Sequence, residues 1–380
     1  MINYAQRSLE EHTKHHGKFA ITSMMPLETQ DDLAIAYTPG VAAPCLAIAA
    51  DPRLVYTMTM KGNAVAVVSD GSAVLGLGNI GPMAGLPVME GKAVLYKKYA
   101  NIDAIPIVLA SQNVDDIVAA VTMIAPTFGG IHLEDIAAPA CFEVERRLAD
   151  ALDIPVMHDD QHATAIVVLA GLMNAATVVG KDLSGLKVVV NGAGAAGIAI
   201  ANLLHAAGIH DIVLVDSKGI VDETRADVSG EKAKFIALQT NRSGVAGGLA
   251  DALRGADAFV GVSKPGLLTA PMVASMAERA IVFALANPDP EMSPDASRAA
   301  GAAVAASGRS DFPNQVNNVL VYPGLFRGLL DSRARRLTPA MKLAAARALA
   351  ALVTPTAEKI LPVITEVNPA PAIAAAIASV

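Results

Sequence analysis

Between Lys187 and Asp216 the chain carries a pattern that few folds accommodate. A short apolar run, Lys187 to Asn191, leads into Gly192, Gly194 and Gly197 in Gly-x-Gly-x-x-Gly spacing; an Ala-rich helical stretch continues through Leu204, and a second apolar run, Ile212 to Val215, ends at Asp216. Strand, glycine turn, helix and strand make a βαβ unit. In it the first glycine forms the tight turn, the second lets a pyrophosphate approach the backbone, the third lets helix and strand pack closely, and the acidic residue meets a ribose hydroxyl. Gly192, Gly194, Gly197 and Asp216 are therefore candidate dinucleotide-binding residues. By charge alone Asp216 should repel a 2′-phosphate and favour NAD⁺.

Upstream of this unit the same alternation is already running. Strands are expected at Ile105 to Leu109, Ile131 to Leu133 and Ile154 to Met157, with helices at Val114 to Ile124 and Pro139 to Leu152 between them. Strands alternating with helices pair in parallel through right-handed crossovers. Before them, Ala64 to Val68 and Val74 to Leu77 read as a hairpin turned at Ser69-Asp70-Gly71-Ser72, and a helix is expected from Glu90 to Tyr99. Downstream, strands near 188, 212, 258 and 282 form the dinucleotide unit, a helix is expected over Met341 to Leu352, and an Ala/Pro-rich tail follows. The fold class is α/β: an N-terminal α/β substrate and metal domain over 1–160, a Rossmann-type doubly wound domain over 161–340, and a C-terminal helical tail over 341–380.

The uncharged stretch from Ala163 to Gly180 is long enough to span a bilayer, but Thr164, Asn174 and Thr177 interrupt it and it joins two sheet-forming halves. It is read as a fully buried helix, so no membrane partner is expected. A net charge of −7 supplies no field to gather nucleic acid. Two cysteines, Cys45 and Cys141, cannot make a disulfide framework, and the N-terminus lacks a signal peptide's apolar core, so a cytoplasmic location is expected.

Two acidic doublets, Glu134-Asp135 and Asp159-Asp160, follow apolar strands, where open α/β sheets collect ligands. One doublet alone reads equally well as a helix cap, but two on neighbouring strand ends point to a cation. Oxygen ligands without a thiolate set suit Mg²⁺ or Mn²⁺; a zinc reading through His158 and His162 matches no Cys/His module. Lys92 follows a Gly/Pro-rich stretch, where a helix start would lower its pKa towards that of a base, unless it is an ordinary surface lysine. Asn287 and Asn318 can hold a carboxylate or simply form turns. Tyr37, taken alone, reads as a packed tyrosine.

As an ordered set, Tyr37 to Ala42, Gly76-Leu77-Gly78-Asn79-Ile80-Gly81, Pro87 to Lys92, His132 to Asp135, His158 to His162, Phe283 to Pro288 and Asn314 to Pro323 resemble the malic enzymes in their small bacterial form. The likeness runs from about Tyr4 to the last helix. It implies oxidative decarboxylation of (S)-malate to pyruvate and CO₂ with reduction of NADP or NAD. It further implies Lys92 as general base, Tyr37 as the acid that protonates the enol, Glu134, Asp135 and Asp160 as metal ligands with Asp159 supporting them, and Asn287 and Asn318 at the substrate. Lys218, which follows Asp216 and Ser217, and Asn287 join the cofactor set, and the likeness tips the expectation slightly towards NADP⁺. A homodimer or higher homo-oligomer is also implied. The two-part bacterial members continue into a phosphotransacetylase-like region, so the chain is expected to be either a stand-alone enzyme or an excised catalytic part. One departure stands out: larger members carry a substrate-gripping arginine where this chain has Ala73. Two alternatives stay open, a malolactic-type lyase that retains NAD⁺ and a non-catalytic nucleotide-sensing module.

Overall fold

The computed structural model describes residues 3–236, Leu238 and 240–380. Helices α1 (Tyr4–His15), α2 (Gln30–Ala36), α3 (Ala42–Ala50) and α4 (Val55–Met58) come first, and no described residue before Lys61 is buried. The first sheet follows: β1 (Ala64–Ser69), α5 (Pro82–Ala100), β2 (Asp103–Val108), α6 (Val114–Ile124), β3 (Gly130–Leu133), α7 (Ala140–Ala151) and β4 (Val156–His158). Its order is β2-β1-β3-β4, all parallel, as crossover helices require.

The long helix α8 (Asp159–Val179) then leads to β5 (Lys187–Asn191), α9 (Ala195–Ala206), β6 (Asp211–Asp216) and β7 (Gly219–Ile220). Short helices α10 (Gly230–Ile236), α11 (Leu249–Leu253), α12 (Ala270–Ala274) and α13 (Pro294–Ala299) alternate with β8 (Ala258–Gly261), β9 (Ile281–Ala284) and β10 (Val304–Ser307). The second sheet runs β10-β9-β8-β5-β6-β7, parallel except for β7. Three helices close the chain: α14 (Tyr322–Ser332), α15 (Pro339–Ala350) and α16 (Ala370–Ala378).

Helix α8 is apolar all round, which a helix can be only when covered on every side. Ile166, Val167, Val168, Leu169, Ala170 and Leu172 are all buried. They belong to one apolar cluster that also takes Val65 and Val67 of the first sheet and Val188 and Val190 of the second. By length and composition α8 could cross a membrane; here it is the shared core of two sheets. Asn174, a buried amide on this helix, donates its Nδ2 to the carbonyls of Ala350 and Ile360 at 2.9 and 2.8 Å.

Two expectations need correction. Val74 to Leu77 is not a strand: Val74 makes a single bridge to Gly78, Leu75 adopts φ 48°, and β1 pairs in parallel with β2 and β3. The helix expected from Glu90 begins at Pro82, because Pro82 sits at its first turn and Pro87 is tolerated inside it. Beyond these two corrections, the Ala/Pro-rich tail contains α16, which docks on α14. There Gly324 and Gly328 are needed for close approach: a Cβ on Gly324 would lie 2.7 Å from the Ala370 Cα and 2.8 Å from its carbonyl oxygen. Gly324→Ala is expected to lower stability by about 1–3 kcal/mol through this overpacking, read as a reduced urea midpoint at unchanged slope.

Candidate active site

The register of the first sheet brings the acidic doublets together. Leu133 of β3 pairs with His158 of β4, so the next residues, Glu134 and Asp159, leave the sheet at the same level. Asp135 takes φ 55°, turning the chain so that its backbone N–H donates to Asp160 Oδ2 at 3.1 Å. One oxygen each from Glu134, Asp135 and Asp160 lies within 4.8 Å of the others. This is the convergence expected of a hard-cation site.

Electrostatics agree with that reading. Burial, then the neighbouring Glu134 and Asp160 carboxylates, pushes the Asp135 carboxyl up to about 8. Burial also raises Glu134 well above its ordinary value, against the pull of Lys92. Asp135 Oδ2 and Asp159 Oδ1 are buried with no partner. Crowded, desolvated carboxylates with orphaned oxygens are what a divalent cation would satisfy. His162 does not join them: its Nε2 meets Glu145 at 2.8 Å and its Nδ1 meets Lys342 Nζ at 2.8 Å, so the zinc reading has no ligand set here.

Lys92 is 8% exposed and lies in the middle of α5, so the helix-start field expected from the sequence does not act on it. Its ammonium donates to Asp159 Oδ2 at 2.6 Å, lies 3.0 Å from Glu134 Oε2 and sits over the Tyr322 ring at 4.6 Å. Burial alone would lower its pKa, but Asp159 and Glu134 outweigh burial and hold it well above the ordinary lysine value. Asn318 donates its amide to the same Asp159 oxygen.

Behind Glu134 stands a relay that sequence reasoning missed. His132 Nε2 meets Glu134 Oε2 at 2.5 Å and His132 Nδ1 meets the Tyr96 hydroxyl at 2.7 Å. Desolvation takes the His132 pKa down to about 3, so the ring is neutral. With Nε2–H donating to the carboxylate, Nδ1 accepts from Tyr96. The only sequence signal was a histidine in an otherwise apolar strand, two residues before an acidic doublet.

Lys92, Glu134, Asp135, Asp160 and Tyr322 line a cleft of roughly 510 Å³ together with Ala73, Gly76, Ala196, Ser263, Asn287 and Asn318. Its far side includes Ala196, which lies within the glycine turn, and Val262 and Ser263 after β8. Gly192 has φ 119°, and a Cβ there would lie 2.6 Å from the Val262 carbonyl oxygen. Gly194 caps α9, and a Cβ on it would meet nothing within 4 Å, which leaves room for a phosphate; a Cβ on Gly197 would strike the Gly192 carbonyl oxygen at 1.6 Å. Asp216 ends β6 next to this turn, where Gly192 N–H donates to the Val215 carbonyl at 2.8 Å. Lys218 pairs with Asp227 at 2.9 Å.

Across the cleft, Glu291 is fully buried and accepts from Ser263 N–H at 3.0 Å and Ala286 N–H at 3.1 Å, tying together the loops after β8 and β9 that carry Ser263 and Asn287. Gly76 presses on Asn287: a Cβ there would lie 1.7 Å from the Asn287 carbonyl oxygen. Of the sequence-derived candidates, Lys92, Glu134, Asp135, Asp159, Asp160, Asn287 and Asn318 come together around this cleft. Tyr37 does not. It is 68% exposed on the N-terminal segment and does not line the cleft of its own chain.

Comparison with known proteins bears on the same residues. The family description "Malic enzyme, N-terminal domain" matches residues 16–113 and 110–149, and "Malic enzyme, NAD binding domain" matches 162–380. The "Bifunctional malic/malolactic enzyme" of Bacillus subtilis is 53% identical, covering 99% of this chain and 93% of that protein. An "NADP-dependent malic enzyme" of Rhizobium meliloti is 51% identical over 92% of this chain and 46% of its own length. The crystal structure of the NAD-dependent malic enzyme of Thermotoga maritima superposes with a TM-score of 0.94 at 43% identity, covering 98% of each chain. With both domains matched along nearly its full length, the chain belongs to the malic enzyme family.

Proposed function

We propose that the chain catalyses oxidative decarboxylation of (S)-malate to pyruvate and CO₂ with reduction of NAD⁺ or NADP⁺. The observation that carries this reading is the meeting of Lys92, paired with the buried Asp159, and a three-carboxylate cluster in one cleft whose lining also includes Ala196 of the dinucleotide turn. A nucleotide-sensing module would have no use for the first two, and an ordinary 2-hydroxyacid dehydrogenase would not need the carboxylates.

Glu134, Asp135 and Asp160 would hold Mg²⁺ or Mn²⁺, and the Gly192 to Gly197 turn would hold the dinucleotide pyrophosphate. When bound, the cation would supply Lewis acidity to malate and the nicotinamide would supply the hydride acceptor. Lys92 would take the C2 hydroxyl proton as the neutral amine, so the ammonium held between Asp159 and Glu134 must first give up a proton to solvent; a cation on Glu134, Asp135 and Asp160 would offset the carboxylate charge that retains it. Asp159, fixed by Asn318, keeps the Lys92 amine aimed at that atom and stabilises the ammonium once the proton has arrived. His132, backed by Tyr96, holds Glu134 through its Oε2. Asn287 contributes an amide to malate, whose carboxylate has no arginine at position 73 to meet it.

Tyr37 remains the acid for the enol, delivered by a second copy of the chain. Two facts support this: residues 3–60 contain no buried position, and Tyr4, Leu9, Ile21, Met24, Leu33, Ile35 and Leu46 are all exposed alongside Tyr37. A surface that apolar is covered in an assembly.

The first test follows reduced nicotinamide absorbance with malate, with each dinucleotide and with or without Mn²⁺. Turnover without net reduction, with lactate released, would favour the malolactic alternative. Lys92→Met is expected to lower kcat by about 10²- to 10⁴-fold while dinucleotide binding by calorimetry stays unchanged. Mixing the separately inactive Tyr37→Phe and Lys92→Met chains is expected to restore roughly a quarter of wild-type activity, because half of the two-fold dimers are mixed and each holds one intact site.

A pH signature accompanies the metal site. A carboxyl whose folded pKa is raised binds more protons folded than unfolded, so its contribution to stability is full below the unfolded value near 4 and is lost as pH rises. For Asp135 the loss extends to about 8. The metal-free chain should therefore lose stability over this window, and the rise in thermal midpoint on adding Mg²⁺ should be larger at the alkaline end than at the acid end.

A further inference from the structure

In a site that reads an unphosphorylated ribose, the carboxylate ending the second strand must offer a free oxygen to the 2′-hydroxyl. Asp216 stands in that place but has none to offer. Its Oδ1 accepts from the Lys218 backbone N–H at 2.9 Å and from Arg225 Nη1 at 2.8 Å. Its Oδ2 accepts from Arg225 Nη2 at 3.0 Å and from Lys232 Nζ at 2.5 Å. The side chain is only 10% exposed. Burial would raise its pKa, but Arg225 and Lys232 bring it down to about 2, so it stays ionised and committed to them.

The surroundings are cationic. Lys218 and Arg225 also share Asp227, so three cations face two carboxylates beside the glycine turn. A 2′-hydroxyl would have to displace a guanidinium or an ammonium to reach Asp216. A 2′-phosphate would accept from those same groups, and a planar guanidinium beside a flexible ammonium is a good match for it.

We propose that the end of β6, beside the glycine turn, selects a dinucleotide bearing a 2′-phosphate, with Arg225 and Lys232 as specificity-determining residues. The proposal rests on the reading of the cleft as a dinucleotide site and goes beyond it by choosing NADP⁺. The competing role for Arg225 is structural: its Nη1 also lies 3.3 Å from the carbonyl oxygens of Gly219 and Ile220, so it could serve only to close the loop after β6.

Calorimetry on the whole chain separates the two. Wild-type protein should bind NADP⁺ at least about tenfold more tightly than NAD⁺, and 2′,5′-ADP more tightly than 5′-ADP by a similar factor, as expected for one charge-assisted site. Added salt should weaken NADP⁺ binding more steeply than NAD⁺ binding. Lys232→Gln should raise the NADP⁺ dissociation constant about tenfold and leave that of NAD⁺ within about twofold; Arg225→Lys should do the same in smaller measure. Equal wild-type affinity for the two dinucleotides, equal salt slopes, or equal weakening of both by Lys232→Gln would overturn the proposal. The wild-type measurements need no variant to fold. Malate turnover with NAD⁺ alone would sink this inference and leave the proposed reaction standing; preferential 2′,5′-ADP binding without malate turnover would do the reverse.

Discussion

The site depends on one electrostatic arrangement, a lysine buried between two carboxylates at the edge of a parallel sheet. Breaking a buried pair by removing one partner leaves an uncompensated charge, so Lys92, Glu134 and Asp159 constrain one another strongly. The sheet makes the arrangement possible. Because β3 and β4 are parallel and in register, both carboxylates emerge side by side, and α5 crosses behind them at the height where a mid-helix lysine can reach both. The metal cluster grows from the same register, one residue further along each strand.

Much of this was legible locally. The βαβ unit could be read because each glycine answers a steric demand made within a few residues of it, and the Val114 to Ile124 helix stands where its apolar spacing put it. The failures were all cases in which a distant contact decided the outcome. Nothing near Lys92 says that its helix starts at Pro82, since Gly85 and Pro87 read as breakers; α5 survives them because it is packed on β1 and β2. Val74 to Leu77 has strand-like composition, yet it is a loop because Gly76 must fit against the Asn287 carbonyl, a residue in the other half of the chain. Tyr37 could be picked out only by likeness to a family. No feature of its own neighbourhood distinguishes it.

The partners of Asp216 were hidden for a different reason. Arg225 and Lys232 lie in a charged stretch that ordinarily reads as a solvated surface, and only the fold after β6 turns them back onto the strand end. A fingerprint that stops at the acidic residue records its identity but not its occupancy.

Topology divides the chain into two sheets, but packing does not. The apolar flanks of α8 are shared, with side chains from both sheets in one continuous cluster. A cut made at the boundary between the sheets would strand a greasy surface on whichever piece kept the helix. The two halves are separable as diagrams and inseparable as solids, so exchanging one dinucleotide-binding half for another would require the matching faces of α8 to travel with it.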